Sequence, residues 1–245
     1  MGASLGSFFN VLIDRLPRKE SIVSPPSHCS SCGYSIPPYL NVPIFSYIIL
    51  KGKCSKCGAK IHWHHLLVEI VTPIIFISLM MRYGLDSVLF YKYLILASFL
   101  IPIFFIDAFH RLILHVTTFP IIVIGLIFSL VSGNDIGIFN SLFTAIFVFA
   151  SLAGVSWIYA KMKDREGLGG GDLWLLTGLA AYFGALAIPW IIILACIMAI
   201  MYFFVRVRNR DQIFVFGPFI VVATLAWILG FESLIAAFNS WILSI

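Results

Sequence analysis

Apolar residues in this chain come in long unbroken runs separated by short charged loops, rather than alternating with polar ones. Eight such runs can be drawn, at 3–14, 66–82, 90–106, 115–132, 138–160, 173–184, 186–205 and 213–230. Several reach or approach the roughly 20 residues that cross a bilayer. The expected fold is an all-α polytopic membrane protein of about eight transmembrane helices. The only long polar insertion, 15–65, holds two cysteine pairs and many prolines. It reads as a small compact lobe between helices 1 and 2. The predicted organisation is a first transmembrane helix at 1–14, the lobe at 15–65 and a transmembrane core at 66–245.

The first run lacks the basic start of a signal peptide, and Arg15, Arg18 and Lys19 follow it where a cleavage site would stand. A spanning segment is the better reading, and its short length leaves open a start further upstream. The uncharged stretch 173–205 is harder. As one straight helix its 33 residues would measure about 50 Å, against about 30 Å of hydrocarbon. A hairpin turning near Gly184 and Pro189 is predicted instead.

Composition agrees. Apolar residues make up 61% of the 245, charged residues only 11%, and mean hydropathy is +1.03. A soluble domain carries about a quarter charged residues, so this surface is built for lipid. Orientation follows from Lys and Arg. Seven lie in 15–65, and Arg111, Lys161, Lys163, Arg165, Arg206, Arg208 and Arg210 fall in later loops on the same side. The other side has Arg82 and Lys92. The crowded side is expected to be cytoplasmic. That asymmetry accounts for the net charge of +5, so nucleic-acid binding is not expected. Basic residues at 51–60 suit anionic lipid. Cys196, alone in an apolar run, reads as a small buried hydrophobe.

Two acids stand at the ends of apolar runs: Asp107 in IDAFHRLIL and Asp172 in EGLGGGDLWLL. Acids at membrane depth are functional candidates. The topology places both at cytoplasmic helix ends, where two carboxyls meeting around a water would share one proton and hydrolyse a peptide without a metal. Gly169, Gly170 and Gly171 suit close backbone approach and positive φ around an extended substrate. The plainer alternatives are an Asp107–Arg111 pair or helix cap, and an N-cap role for Asp172.

Cys29-x-x-Cys32 and Cys54-x-x-Cys57 are separated by 21 residues, within about one residue of zinc-ribbon spacing. Gly33 and Gly58 follow each pair, where a knuckle turn favours positive φ. Four thiolates around structural Zn2+ are expected; disulfides are the alternative, disfavoured in a reducing compartment. His28, His62, His64 and His65 are further possible ligands.

Gly169–Asp172 matches the G-x-G-D signature of membrane aspartic proteases, and the resemblance to the type IV prepilin peptidase family covers nearly the whole chain. LGSFFNVLIDRLPR, NVPIFSYIILKGKCSKC, IDAFHRLILHVTTFP and QIFVFGPFIVVA resemble its motifs in order and spacing. The resemblance implies catalytic Asp107 and Asp172, prepilin or pseudopilin substrates cut after a glycine behind a short basic leader, and a site on the cytoplasmic side of the inner membrane. It also implies N-methylation of the new amino terminus from S-adenosylmethionine, with Gly52 and Glu69 at motif positions. Departures are Trp174 where a lysine is usual, Leu114 and His115 for Pro-Asp, His64, His65 and Leu66 for Arg-Tyr-Pro, and Val215 for proline. Glu69 could instead pair with a lobe lysine. Other classes remain open: a transporter using the two acids for a cation or protons, and a non-catalytic zinc-anchored assembly protein.

Overall fold

The structure is a computed structural model that describes residues 2–131, 136–163, 167–206, 215–231 and 233. It divides into two compact units, Met1–Met81 and Arg82–Ile245. Arg165, Arg208 and Arg210, used above for orientation, lie outside the described residues.

The first unit holds α1 (Gly2–Arg15), a 3-10 turn at Pro38–Leu40, α2 (Phe45–Ile49) and most of α3 (Trp63–Tyr83). Helix α3 begins three residues before the predicted run, so His64 and His65 belong to the helix rather than to the lobe. One face of α1 meets α3 in antiparallel fashion, a turn at a time. A Cβ on Gly2 would come within 2.8 Å of Pro73, and one on Gly6 within 2.9 Å of Glu69. Next along, Asn10 Nδ2 donates to the His65 carbonyl at 3.0 Å. Small residues four apart let two helix backbones approach closely. After α1, the buried Arg15 guanidinium ties down the chain by donating to the carbonyls of Ser21 at 2.9 Å and Pro25 at 2.7 Å.

The second unit contains α4 (Val88–His110), α5 (His115–Ser129), α6 (Ile138–Lys163), α7 (Gly170–Arg206) and α8 (Gly217–Ala226), which continues as a π-turn over Trp227–Phe231. Its core is aliphatic, with Leu96, Leu100, Ile121, Leu175, Leu179 and Ile220 fully buried. Lys92, counted above on the sparsely charged side, is fully buried within α4. Its ammonium lies 5.3 Å from the Tyr93 ring centre. Cys196 is exposed on α7, contrary to the expectation of a buried hydrophobe. On an apolar helix the outer face needs no polar side chain, so a thiol there meets no penalty in lipid.

Helix α7 is broken at Gly184, whose backbone (φ 67°, ψ −170°) is not helical. Unbroken, Asp172 and Tyr202 would lie about 45 Å apart. Instead Ile113 would touch a Cβ on both Gly171 and Gly217, and Tyr202 packs on Phe219 at 5.6 Å between ring centres. The chain therefore doubles back at Gly184, as predicted. The turn rests on α6: Ser141 Oγ donates to the Ala181 carbonyl at 2.6 Å, and Asn140 lies beside Gly184. Among the described residues four helices, Trp63–Tyr83, Val88–His110, Ile138–Lys163 and Gly170–Val205, are long and apolar enough to cross a membrane. Among the described residues there are isolated bridges at His28–Ser35 and Lys53–Lys60 and no strands.

Candidate active site

Asp107 occupies the last turn of α4. The helix stops because Arg111 adopts a left-handed conformation (φ 56°) and its N–H donates to the Asp107 carbonyl at 2.8 Å. That is a backbone link. Among the described residues no ion pair joins the two side chains, so the pairing alternative is not realised. Asp172 stands at the other kind of helix end. Leu173 N–H donates to the Gly169 carbonyl at 3.2 Å, which makes Gly169 the cap and Asp172 the third residue of the first turn. Gly169 thus takes the N-cap position that was the plainer alternative for Asp172. The Asp172 side chain folds back toward Gly169, within 3.3 Å of where a Cβ would stand.

The two carboxyl groups are near enough to interact electrostatically. Asp107 is 4% exposed. Asp107 Oδ2 and Asp172 Oδ1 are both buried with no hydrogen-bond partner among the described residues. A buried carboxylate oxygen left without a donor is costly in a structural role and is the kind of exception that calls for an explanation. Gly217, the first residue of α8, was not singled out from the sequence. Its backbone N–H points at the Asp107 carboxylate, and a Cβ there would overlap Oδ2. Ile113 was also missed: it sits between Gly171 (2.6 Å to a Cβ) and Gly217 (2.8 Å). The signal available was the Gly-Pro pair opening an apolar run, where proline starts a helix.

The three glycines behave differently from one another. None has positive φ, contrary to expectation, because the helix starts at Gly170 and takes two of them into its first turn. Gly171 makes the close approach, while a Cβ on Gly170 would meet nothing. The departures at 115 and 174 are neighbours in space. Trp174 packs against His115 at 6.2 Å, Phe119 at 4.9 Å and Phe149 at 4.9 Å between ring centres.

In the first unit the four cysteines converge, their Sγ atoms all within 4.8 Å. Two matching turns bring them there. The carbonyls of Cys29 and Cys54 each accept from the N–H of the glycine four residues on, Gly33 at 2.9 Å and Gly58 at 3.0 Å. Those glycines have φ of 69° and 72°, as the knuckle turns require. Cys29 Sγ and Cys57 Sγ are 3.9 Å apart, close to the roughly 3.8 Å edge of a tetrahedron with 2.3 Å Zn–S bonds. Backbone N–H groups of Ser31 and Cys32 lower the Cys29 thiol to about 6. The Ala59 N–H acts the same way on Cys57, but the surrounding thiols outweigh it and push that group up to about 11. Four sulfurs competing to carry negative charge fit a cation.

A cavity of about 340 Å³ adjoins this cluster, lined among others by Asn10, Tyr34, Tyr47, His62 and Glu69. Glu69 Oε2 accepts from the Ile44 N–H at 2.7 Å, and Ile44 has φ 67°. Its partners are therefore lobe backbone and the Ser7 hydroxyl of α1 rather than a lysine. Gly52 shapes a turn at φ 66° against the Tyr47 ring and is not part of the cavity wall. His64 and His65 face Asp14, not the cysteines.

Comparison with known proteins bears on both units. The Bacterial Peptidase A24 N-terminal domain matches residues 1–83, and the Type IV leader peptidase family matches residues 94–204. The prepilin leader peptidase/N-methyltransferase of Neisseria gonorrhoeae is 30% identical over 99% of this chain and 92% of its own length. That of Vibrio cholerae is 34% identical over 89% and 90%, and that of Pseudomonas aeruginosa 31% over 93% and 87%. No solved structure matches. With its long apolar helices the chain is an integral membrane protein. The comparisons lend nothing to a transporter, and the chain belongs to the type IV leader peptidase family.

Proposed function

We propose that this protein is a membrane aspartic endopeptidase that removes the basic leader from prepilins or pseudopilins at the cytoplasmic face of the inner membrane. The observation that carries the reading is the meeting of Asp107 and Asp172, each with a buried carboxylate oxygen left for a ligand. The ionised member takes a proton from a water between them, and that water's oxygen bonds to the scissile carbonyl carbon. The protonated member gives its proton to the departing nitrogen as the C–N bond breaks. Gly217 fixes Asp107, Gly169 and Gly171 bring Asp172 and Ile113 close, and the open space at Gly170 leaves room for the extended substrate backbone. The apolar segment behind the leader sits in lipid and brings the junction to the acids.

We place about eight spans in the bilayer, counting the halves of α7 separately. The lobe holds structural Zn2+ on Cys29, Cys32, Cys54 and Cys57, and its lysines face anionic lipid. The relatives' names include N-methyltransferase. S-adenosylmethionine, when bound, supplies an electrophilic methyl group. The cavity suits such a guest: its volume of about 340 Å³ is that of a small-molecule site, and Glu69, Tyr34 and Tyr47 offer a carboxylate and rings to a cationic ligand. Glu69 holds the cavity wall through Ile44, and Gly52 shapes the adjoining turn. The test is cleavage of a prepilin peptide by the purified protein. Asp107→Asn and Asp172→Asn should each abolish it, and cleavage by either variant removes the proposal.

A further inference from the structure

The seam between α1 and α3 ends on a group of side chains that neither the aspartate pair nor the cysteine set uses. Gly2, Gly6 and Asn10 meet α3 at successive turns, and the next residue on that face is Asp14. Its two carboxylate oxygens face two histidines, Oδ1 to His64 Nε2 and Oδ2 to His65 Nε2, both at 3.7 Å. We infer that Asp14, His64 and His65 form a binding site for a divalent first-row transition ion of the zinc type, distinct from the four-cysteine set.

The distances decide between an ion pair and a metal site. A hydrogen-bonded carboxylate–imidazole pair closes to about 2.7–3.2 Å. Here both contacts stop short of that, although each nitrogen faces its own oxygen. Donor atoms around a tetrahedral ion with bonds of 2.0–2.1 Å stand about 3.4 Å apart. The observed 3.7 Å is nearer to that edge than to a hydrogen bond, and the three donor atoms lie within 4.8 Å of one another. Two imidazole nitrogens with one carboxylate suit zinc, and also iron(II) with open positions. The donor geometry is held from outside. Asn10 fixes the His65 backbone, and the His64 and His65 rings lie against each other at 4.2 Å between centres, tilted by 32°. All three residues line the 340 Å³ cavity, so the remaining coordination positions open into it. Bound there, the ion clamps the end of α1 to the start of α3.

The test uses tag-free, full-length protein in detergent, loaded with Zn2+, desalted, and assayed for zinc per chain by mass spectrometry. The expected content is two for the natural chain and one for Asp14→Asn and for His65→Gln. Loading with Co2+ instead should give intense thiolate charge-transfer bands together with a weaker nitrogen–oxygen d–d band, and only the latter should vanish in the two variants. A natural chain whose cobalt spectrum shows thiolate ligation alone overturns the inference, even if a variant fails to fold. So does a second zinc that survives both substitutions. Neither result bears on cleavage by Asp107 and Asp172.

Discussion

Gly217 lies so close to Asp107 that any side chain at this position would occupy the space of the carboxylate oxygen. The residue that opens α8 thus sets where the acid that closes α4 can stand. Gly217→Ala should push the carboxyl aside by about the width of a methyl group. Misplacement of about 1 Å costs on the order of 100-fold in rate. Peptide cleavage should fall by about that factor or more, while circular dichroism stays helical.

Ile113 makes a related prediction. Gly171→Ala drives a methyl against its Cβ, with 2.6 Å available. Overpacking of this kind costs about 1–3 kcal/mol. Thermal unfolding should register the loss, and adding Ile113→Gly, which removes the opposing Cβ, should recover part of both stability and cleavage.

His115 and Trp174 touch, so their departures from the usual family residues should be coupled. Trp174→Lys alone places a charge among Phe119, Phe149 and His115. Combined with His115→Asp it gains a partner. A double-mutant cycle on thermal stability should give a favourable interaction of about 0.5–3 kcal/mol; additive losses would contradict the coupling.

Removing zinc should loosen the lobe without a change in the aspartates. A strong chelator, or Cys29→Ser, should expose 15–65 to limited proteolysis, because a small lobe with little core draws its folding free energy from the ion. Zinc content and protease resistance should fall together.

Glu69 accepts from an amide whose own backbone is held at positive φ. Glu69→Ala should cost the lobe about 1.5–3 kcal/mol, the range for a hydrogen bond to a charged group. Glu69→Gln keeps an acceptor and should recover most of that. Mass spectrometry of the processed amino terminus then separates scaffolding from methyl transfer: Glu69→Gln that restores stability but not methylation assigns the carboxylate to the chemistry.

Much of this was legible because lipid imposes a simple rule on sequence. Long apolar runs marked the positions of α3 to α7 to within a few residues, and the break at Gly184 came from length together with the glycine and proline near it. The paired cysteines announced their convergence through spacing and through Gly33 and Gly58. Contacts between segments far apart in the chain had no such local signature. Nothing local in Gly217 or Ile113 speaks of Asp107, and nothing in Asp14 speaks of His65. The positive φ expected of Gly169–Gly171 failed because the start of a helix is a cooperative property of the residues downstream, and it overrides what each glycine permits. Cys196 misled for another reason: in lipid an apolar outer face looks the same in sequence as a buried one.

Between Asp172 and Arg206 helix α7 carries no charge at all, and at its far bend it relies on Asn140 and Ser141 of α6. Such a stretch has no charged side chain of its own to hold its bend. Its neighbour must be waiting when it arrives, and synthesis from the amino terminus delivers α6 first. The order of elements along the chain thus puts the two neutral side chains that hold this bend in place ahead of the bend itself.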